Sequence, residues 1–370
     1  MKKITLLVFF ILVNFNLTAQ ITDVEEKFTL PENLNESSGA IFFNDRLITH
    51  NDSGNQNELY ELDTISGAVT RIITIDNATN VDWEDLTQDD TSIYVADIGN
   101  NNGNRTDLKI YKINKSDYLN STNVTSEIIN FNYSDQTDFT PSPNNTEWDS
   151  EAIVSFDTDL ILLTKNWVTG ITKAYPIPKD SGTYSVNPLP TTLDSGGLIT
   201  GSTYNQLTGK LYSVGYDFTL QPFIWISENF TENDVFSGTN TQISLSSLGF
   251  EQIEAITNIG ANRYLMTSES FDIPPFADDA KLISFSTNDD LLSIEDLSIN
   301  RVSLYPNPVK DILIIDGVEF VSVEIYDTNA RLIYHSDSQK VDISHLNKGV
   351  YLVKVNFNDY TYHVQKIIKD

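Results

Sequence analysis

Cysteine is absent from this 370-residue chain, and histidine is scarce, with four residues. The lack of cysteine excludes disulfides and thiolate metal sites, and so few histidines make a zinc enzyme a poor fit. Positive charge is also scarce, because 23 Lys and Arg stand against 52 Asp and Glu, for a formal net charge of −29. We therefore expect neither nucleic acid nor an anionic membrane surface as a partner.

Long hydrophobic runs are missing except at the N-terminus. There, Lys2 and Lys3 precede the apolar run 4–13, and the small residue Ala19 precedes Gln20. This arrangement predicts a secretory signal peptide over residues 1–19. A membrane anchor fits less well, because the apolar core is too short to span a bilayer comfortably. No cysteine follows, which excludes a bacterial lipoprotein anchor, and no membrane-spanning segment is expected elsewhere.

The acidic charge is concentrated before residue 301. Residues 301–370 contain 8 basic and 9 acidic residues, whereas residues 20–300 contain 13 and 43. Cations or cationic partners are therefore expected for the larger part of the chain. Solubility outside the cell explains the same acidity equally well.

Abundant Val, Ile, Thr, Tyr and Phe, separated by Asn, Asp, Ser and Gly, indicate an all-β protein. A short unit recurs, in which a polar or acidic residue opens an apolar strand, a turn follows, and a second strand ends in a polar residue. The units open at positions 36, 84, 151, 197 and 254, at intervals of 48, 67, 46 and 57 residues. A diverged strand-and-turn repeat of about 40–50 residues is typical of a β-propeller.

The repeats predict a five-bladed β-propeller over residues 20–286. The first four supply four strands each, with the outer strand of the third near 186–193, but the fifth shows three. An unpartnered strand at 25–30 is expected to complete the fifth blade and so remove an exposed sheet edge. Six blades remain an alternative, because the 67-residue interval can hold additional structure.

A second domain is predicted at 301–370, after a linker at 287–300 that is rich in Asn and Asp. Seven short strands in these 70 residues predict a small Ig-like antiparallel β-sandwich. Several motifs mark this domain: Tyr305-Pro306-Asn307-Pro308, Ile325-Tyr326-Asp327, Asp342-Ile343-Ser344, Lys348-Gly349-Val350-Tyr351 and Lys366-Ile367-Ile368-Lys369.

These motifs resemble the type A C-terminal sorting domain of the type IX secretion system of Bacteroidota. One departure is Ala330, where the family usually has glycine. The resemblance implies the type IX secretion machinery as a partner and export through the periplasm, giving a secreted or outer-membrane surface protein. An ordinary Ig-like adhesion module is the alternative.

The larger domain, residues 20–290, resembles the secreted phytase-like and SdiA-regulated-like β-propellers. The resemblance is carried by short motifs: Asn51-Asp52-Ser53-Gly54, Asp97-Ile98-Gly99-Asn100-Asn101, Glu151-Ala152-Ile153 and Thr164-Lys165. It implies a propeller fold and metal binding, and it names no substrate.

Charged residues are expected to meet at one mouth of the propeller. The first two strands of each blade are antiparallel, so the start of the first lies beside the end of the second. The resulting pairs are Glu36 with Asp52, Glu84 with Asp97, Glu151 with Lys165, and Glu254 with Glu269, and the fourth repeat adds Asp217.

Carboxylates around one funnel raise one another's pKa unless a cation or hydrogen bonds intervene. Lys165 is one counter-charge, so an oxygen-liganded cation, Ca²⁺, is the expected cofactor. Its predicted ligands are Glu36, Asp52, Glu84, Asp97, Glu151 and Glu254. Further ligand-facing residues are predicted to be Asn51, Asn100, Lys165, Asp217 and Glu269. The alternative is that each acid accepts backbone hydrogen bonds from a neighbouring blade and thereby staples the ring.

We therefore predict a monomeric, acidic propeller that binds an extracellular ligand, with a dependence on Ca²⁺. Two alternatives remain open, namely a metal-assisted phosphoesterase of the phytase-like kind and a structural adhesion module. Trp83, Trp148 and Trp167 are expected near the mouth, either as a carbohydrate platform or as blade-packing residues. His50 is the one histidine of the propeller sequence and does not by itself make a catalytic triad.

Overall fold

A computed structural model describes the chain over residues 21–274, 276–292, 302–317, 322–328, 331–356 and 362–370. The predicted signal peptide at 1–19 and residues 293–300 of the predicted linker lie outside this part. Within it the protein is nearly all β, with a single short α-helix, α1 (Lys115–Asn120). The described helices include none with the length and apolar character to cross a membrane.

The first two repeats each form a mainly antiparallel sheet. The first sheet follows the order β2 (Ser37–Phe43), β3 (Arg46–Asn51), β4 (Glu58–Leu62), β5 (Val69–Ile75) and the short β9 (Asn123–Val124). The second follows the order β6 (Trp83–Gln88), β7 (Ser92–Asp97), β8 (Lys109–Asn114), β10 (Glu127–Tyr133) and β15 (Gly182–Val186). The last strand of each sheet is added in parallel.

The remaining repeats follow the same plan. The third sheet contains β11 (Ser150–Phe156), β12 (Asp159–Thr164) and β14 (Ala174–Pro178), and the fourth contains β17 (Leu198–Asn205), β18 (Lys210–Tyr216), β19 (Pro222–Glu228) and β20 (Thr239–Ser244). The fifth contains β21 (Gln252–Asn258), β22 (Arg263–Glu269), β25 (Lys281–Thr287) and β1 (Ile21–Thr29). Two short pairs complete this part: β13 (Ile171–Thr172) with β16 (Leu193–Asp194), and β23 (Phe271–Ile273) with β24 (Phe276–Asp278).

The first strands of the five repeats contact one another in a cycle. β2 contacts β6, β6 contacts β11, β11 contacts β17, β17 contacts β21, and β21 returns to β2. Each of these strands is the last of its sheet on the inner side. The sheets therefore surround a common axis, which is the arrangement of a β-propeller.

The N-terminal strand closes the fifth sheet. β1 pairs antiparallel with β25, from Ile21 opposite Thr287 to Thr29 opposite Lys281. This pairing confirms the prediction that a strand from the start of the chain completes the last repeat. It also ties the two ends of the propeller sequence together and covers an edge of the sheet.

The prediction of an outer strand near 186–193 in the third repeat was wrong. The residues just before it, Gly182–Val186, form β15, which pairs in parallel with β10 of the second sheet. The third sheet ends instead at β14, which contains Pro176 and Pro178. Proline lacks the backbone N–H that a further strand would need, so two prolines at alternate positions suit β14 to an edge.

The hydrophobic core lies between neighbouring sheets. Ile48 and Leu59 of the first sheet pack with Trp83 and Val95 of the second, and all four are fully buried. Burial of each such side chain contributes roughly 1.5–3 kcal/mol. Equivalent clusters join the other sheets, so both faces of a typical sheet are largely apolar.

The first residues of the predicted linker pack against the propeller. Asp289 accepts hydrogen bonds from Lys210 Nζ, at 2.7 Å, and from the Tyr212 hydroxyl. Leu292 donates its backbone N–H to the carbonyl of Leu207 at 2.9 Å. Residues 287–292 are therefore held by the fourth and fifth sheets.

The C-terminal residues form two antiparallel sheets. One contains β26 (Val302–Tyr305), β27 (Ile312–Gly317) and β30 (Lys340–Asp342), and the other contains β28 (Ser322–Tyr326), β29 (Leu332–Ser336), β31 (Gly349–Asn356) and β32 (Tyr362–Lys369). Leu313, Val323 and Val353 belong to one buried cluster that both sheets share. The sheets are thus the two layers of one small core.

Candidate functional site

A cavity of about 190 Å³ opens at the end of the axis where the first strands begin. Twelve residues line it: Ser38, Asp52, Glu84, Asn101, Asn144, Glu151, Lys165, Trp167, Tyr216, Gln252, Glu254 and Glu269. Six of the eleven predicted site residues are among them: Asp52, Glu84, Glu151, Lys165, Glu254 and Glu269. We call this acidic cavity the mouth.

A β-bulge at the same place in all five innermost strands shapes the mouth. The pairing register skips one residue in each strand: Ser38, Glu84, Glu151, Thr200 and Glu254. A bulge leaves one residue out of the ladder and redirects its side chain. Because three of the five bulged residues are glutamates, the bulges concentrate carboxylates at one end of the axis.

Lys165 is a buried cation at the mouth. Its Nζ lies 2.8 Å from Glu151 Oε2, as the predicted strand pairing requires. The same Nζ lies 5.1 Å from the ring centre of Trp167 and 5.7 Å from that of Tyr216. The surrounding carboxylates, Glu151 foremost, raise the pKa of Lys165 well above its usual value although burial opposes this, so the side chain is charged.

Three carboxylates come together close enough to share an ion. One oxygen from each of Asp52, Asp82 and Glu84 lies within 4.8 Å of the other two. Gly99 makes this approach possible, because a Cβ at that position would collide with the carboxylates of Glu84 and Asp82. Asp82 is held at the strand entrance by the N–H groups of Ile98 and Gly99, which donate to its carbonyl oxygen.

Burial and crowding raise the pKa of these acids. Burial is the largest cause for each, and it raises the pKa of Asp52 to about 6 and that of Asp82 to about 7. The pKa of Glu254 is raised to about 7, and Lys165 limits the rise. Burial, followed by repulsion from Glu151, raises the pKa of Glu84 well above its usual value. The mouth therefore holds its negative charge at a cost in free energy.

Two of the remaining predicted acids take structural partners. Glu36 is exposed and accepts a hydrogen bond from Asn55 Nδ2 at 2.6 Å. Asp97 is fully buried, and its Oδ1 lies 2.8 Å from Arg105 Nη2. Arg105 is a second cation near the mouth, which the sequence did not place there.

The other three predicted residues brace loops. Asn51 Nδ2 donates to the carbonyl of Asn33, and Asn100 Nδ2 donates to that of Trp148. Asp217 Oδ1 accepts hydrogen bonds from Thr219 and Gln221 within its own turn. Tyr216 lines the mouth in place of Asp217, because β18 ends at Tyr216 and Asp217 already belongs to the turn that follows.

Two acids at the site were missed by sequence reasoning. Asp82 belongs to the carboxylate cluster, and Asp149 is fully buried, accepting from the Asn100 N–H at 2.6 Å and from Trp167 Nε1 at 2.7 Å. Each lies two residues before a bulged glutamate, Glu84 or Glu151. This repeated Asp-x-Glu spacing was the available signal, and each aspartate stands directly before the first residue of its strand, β6 or β11.

The tryptophans differ in role. Trp83 is fully buried in the core between the first two sheets, and its ring lies 5.5 Å from that of His50. Trp148 Nε1 donates to Asp135, away from the residues that line the mouth. Trp167 lines the mouth. His50 is also buried, which lowers its pKa to about 4 and keeps it neutral.

Deeper along the axis, Asp85 joins four innermost strands. Its Oδ2 accepts from the backbone N–H groups of Ile153, at 3.0 Å, and Ser202, at 3.4 Å. Oδ1 accepts from the Leu86 N–H at 2.7 Å, and the Ala40 N–H adds a further hydrogen bond. The alternative prediction was that the mouth acids accept backbone hydrogen bonds from neighbouring blades. Asp85, which was not among the predicted site residues, makes such bonds.

Comparisons with known proteins identify the C-terminal part. Residues 303–370 match the family described as the secretion system C-terminal sorting domain. No curated protein matches the chain.

Among solved structures, the chain is similar to the PQQ-bound form of aldose sugar dehydrogenase from Streptomyces coelicolor, at 10% identity and a TM-score of 0.42, over 71% of this chain and 98% of that one. It is also similar to the Malassezia sympodialis allergen Mala s 1, at 11% identity and a TM-score of 0.45, over 72% and 96%. A glucose dehydrogenase aligns at 10% identity and a TM-score of 0.40, over 73% and 100%. Likenesses this distant carry nothing about activity.

The family match agrees with the motifs from Tyr305 to Lys369. Export through the type IX system leads to release or to display at the cell surface. The C-terminal part of this chain is therefore a type IX secretion sorting domain, carried by a secreted or cell-surface protein.

Proposed function

We propose that this protein is a five-bladed β-propeller, followed by an Ig-like sandwich, whose acidic mouth binds Ca²⁺ and, together with that ion, an extracellular ligand. The cyclic contacts among five innermost strands support the blade number, and the core shared by two C-terminal sheets supports the sandwich. The observation that carries the function is the carboxylate cluster of Asp52, Asp82 and Glu84.

The spacing of this cluster fits calcium. Ca²⁺ binds oxygen ligands at about 2.3–2.6 Å, so two ligands of one ion lie at most about 5 Å apart. The three carboxylate oxygens satisfy this limit, being within 4.8 Å of one another. Asn101 and Asn144 also line the mouth and offer the neutral amide oxygens that calcium sites commonly include.

Charge favours a cation at this position. Five carboxylates line the mouth: Asp52, Glu84, Glu151, Glu254 and Glu269. Lys165 is the cation among the lining residues, and Glu151 already holds it at 2.8 Å. A divalent ion beside Asp52, Asp82 and Glu84 would offset the repulsion that raises their pKa values.

The size of the mouth favours binding of a projecting group. Its volume of about 190 Å³ is below the range of roughly 300–1,000 Å³ that encloses a whole small ligand. Trp167 and Tyr216 form an aromatic wall beside it. A larger extracellular molecule would therefore insert one polar group and rest on the rim.

This charge pattern favours binding over phosphate ester hydrolysis. A phosphate group needs cations around it, and the lining carries five carboxylates and Lys165. A bound Ca²⁺ would leave that balance negative. Ligand binding is therefore the function that we propose. A phosphoesterase remains a second hypothesis, because a bound metal ion would serve that reaction as well.

Titration calorimetry with the mature protein tests the calcium site. After treatment with a chelator, CaCl₂ should bind with measurable heat and raise the melting temperature. The Asp82→Asn variant should bind Ca²⁺ at least about tenfold more weakly, because one charged ligand is lost. The exposed Asp194→Asn variant is the matched control and should behave as wild type. A melting temperature that ignores both Ca²⁺ and chelator would refute the proposal.

A further inference from the structure

A second cavity, of about 380 Å³, lies at the opposite end of the innermost strands. The mouth is lined where these strands begin, whereas Phe42, Gln88, Ser155, Tyr204 and Asn258 line the second cavity where they end. Its volume is within the range of small-molecule sites. Since the hydrogen bonds of Asp85 tie the strands together between the two ends, we treat this second cavity as a separate site.

The lining of the second cavity is mostly uncharged and polar. Hydroxyl and amide side chains come from four of the innermost strands and the segment after β17: Thr87, Gln88, Ser155, Ser202, Thr203, Asn205, Gln206, Thr257 and Asn258. This chemistry contrasts with the carboxylates of the mouth. It favours a neutral ligand that both donates and accepts hydrogen bonds.

Three charged residues line this cavity, Asp89, Asp90 and Lys115, and each has an interaction within the protein. Lys115 Nζ donates to the carbonyl of Asp89 and lies 4.4 Å from the ring centre of Phe43. The carboxylate of Asp89 accepts from Ser92, at 2.9 Å, and from the Tyr94 hydroxyl, at 2.7 Å. These bonds shape the loop after β6 and leave ligand recognition to the neutral groups.

Two amides have hydrogen-bonding capacity left for a ligand. Gln88 Nε2 donates to the carbonyl of Phe42 at 2.8 Å, while its Oε1 is buried with no partner among the described residues. Thr203 Oγ1 donates to Asn258 Oδ1 at 3.1 Å, a bond that does not use the Asn258 Nδ2 donors. An unpaired buried acceptor is costly, so a hydroxyl donor that reached Gln88 would be stabilising.

Aromatic rings border the same cavity. Tyr204 lines it and packs edge-on against Phe156, with ring centres 4.8 Å apart, so its orientation is fixed by the core. Phe42 lines another side. The face of an aromatic side chain can cover an apolar C–H surface of a ligand. Neighbouring amide and hydroxyl side chains can then bind the polar groups at the edge of that ligand.

We propose that this second cavity binds a neutral saccharide. A sugar ring presents C–H groups for Tyr204 or Phe42 and hydroxyl groups for Gln88 and Asn258. It carries no charge, which suits a lining that is mostly neutral. The volume of about 380 Å³ suits one or two sugar units.

Saturation-transfer NMR with the full mature chain tests this site, using glucose, N-acetylglucosamine, maltose and cellobiose. At least one of these should bind. Asn258→Asp keeps the acceptor for Thr203 and loses the Nδ2 donors, so it should weaken binding about tenfold. Gln206→Ala alters an exposed lining residue with little risk to folding, and it should weaken binding about threefold.

Glu254→Gln, at the mouth, is the matched control. It should leave saccharide binding unchanged, which separates this site from the proposed calcium site. Failure of all four sugars to bind at about 10 mM, a very weak affinity, would overturn the proposal. Wild-type binding by both Asn258→Asp and Gln206→Ala, or loss of binding in Glu254→Gln, would overturn it as well.

Discussion

Asp85 Oδ2 accepts a hydrogen bond from the backbone N–H of Ile153 at 3.0 Å, joining strands that are 68 residues apart in sequence. The inner edge of each first strand has no strand partner among the described residues, so its N–H groups need other acceptors. One carboxylate satisfies several of them at once. The equivalent positions in the other four strands are Gly39, Ala152, Gly201 and Ala255, so Asp85 supplies the carboxylate at this level of the axis.

Replacement of Asp85 should destabilise the propeller. In Asp85→Asn, an amide N–H₂ would face backbone donors where a carboxylate oxygen now accepts. We expect a loss of about 2–3 kcal/mol in the free energy of unfolding, measured by urea denaturation. Asp194→Asn, an exposed change of the same type, should alter it by less than about 0.5 kcal/mol. Equal stability of the two variants would show that Asp85 does not staple the ring.

Neutralisation of Glu84 should have opposite effects with and without calcium. In calcium-free buffer, Glu84→Gln removes repulsion with Glu151 and Asp52, so the free energy of unfolding should rise by on the order of 1 kcal/mol. At a hundredfold excess of Ca²⁺ over the dissociation constant, wild type should gain about 2.7 kcal/mol and the variant much less. Lower stability of the variant without calcium would indicate that Glu84 serves as a hydrogen-bonded staple.

The calcium-free protein should lose stability as the pH rises from about 5 to about 7.5. The pKa values of Asp52, Asp82 and Glu254 are raised to about 6, 7 and 7 in the folded state. The folded protein therefore binds more protons than the unfolded chain in this window, so the slope of stability with pH is negative.

One group opposes this trend. Burial lowers the pKa of His50 to about 4, which favours folding as the pH rises toward 6.5. Three raised carboxyls outweigh one histidine, so urea midpoints should still fall between about pH 5 and 7.5. Asp82→Asn should flatten the slope, and saturating Ca²⁺ should offset it. Stability that rises with pH over this whole range would contradict the charge arrangement at the mouth.

Removal of the N-terminal strand should open the ring. Deleting Ile21–Thr29 exposes β25 as an edge and breaks the pairing that joins the two ends of the propeller. We expect aggregation or a large fall in melting temperature, measured by scanning calorimetry and light scattering. An unchanged melting temperature would show that closure by β1 does not hold the ring together.

Deletion of residues 301–370 should stop export at the periplasm. The sorting domain directs passage through the type IX system, so a protein without it should complete only the first step of secretion. Cell fractionation in a host with this system measures the outcome, with the full chain as the control. Surface delivery of the truncated protein would contradict the role of the domain.

Local patterns determined much of this protein. Repeated strand-and-turn units predicted the strands of the propeller, and the antiparallel pairing of neighbouring strands was enough to place Lys165 beside Glu151. These relationships lie within one hairpin, where sequence spacing fixes which residues meet. The sorting domain was also recognisable, because its motifs are short and continuous.

Tertiary structure decided the contacts that form only when the five sheets close around the axis. The bulge at Glu84 shifts the register by one residue, which changes where each later side chain points, and no sequence pattern indicated it. Asp82 and Arg105 reach the mouth region through loops, while β15 joins a sheet from an earlier repeat. Asp85 meets Ser202 across 117 residues. Contacts at such separations depend on how the sheets pack around the axis, and that packing is set by the chain as a whole.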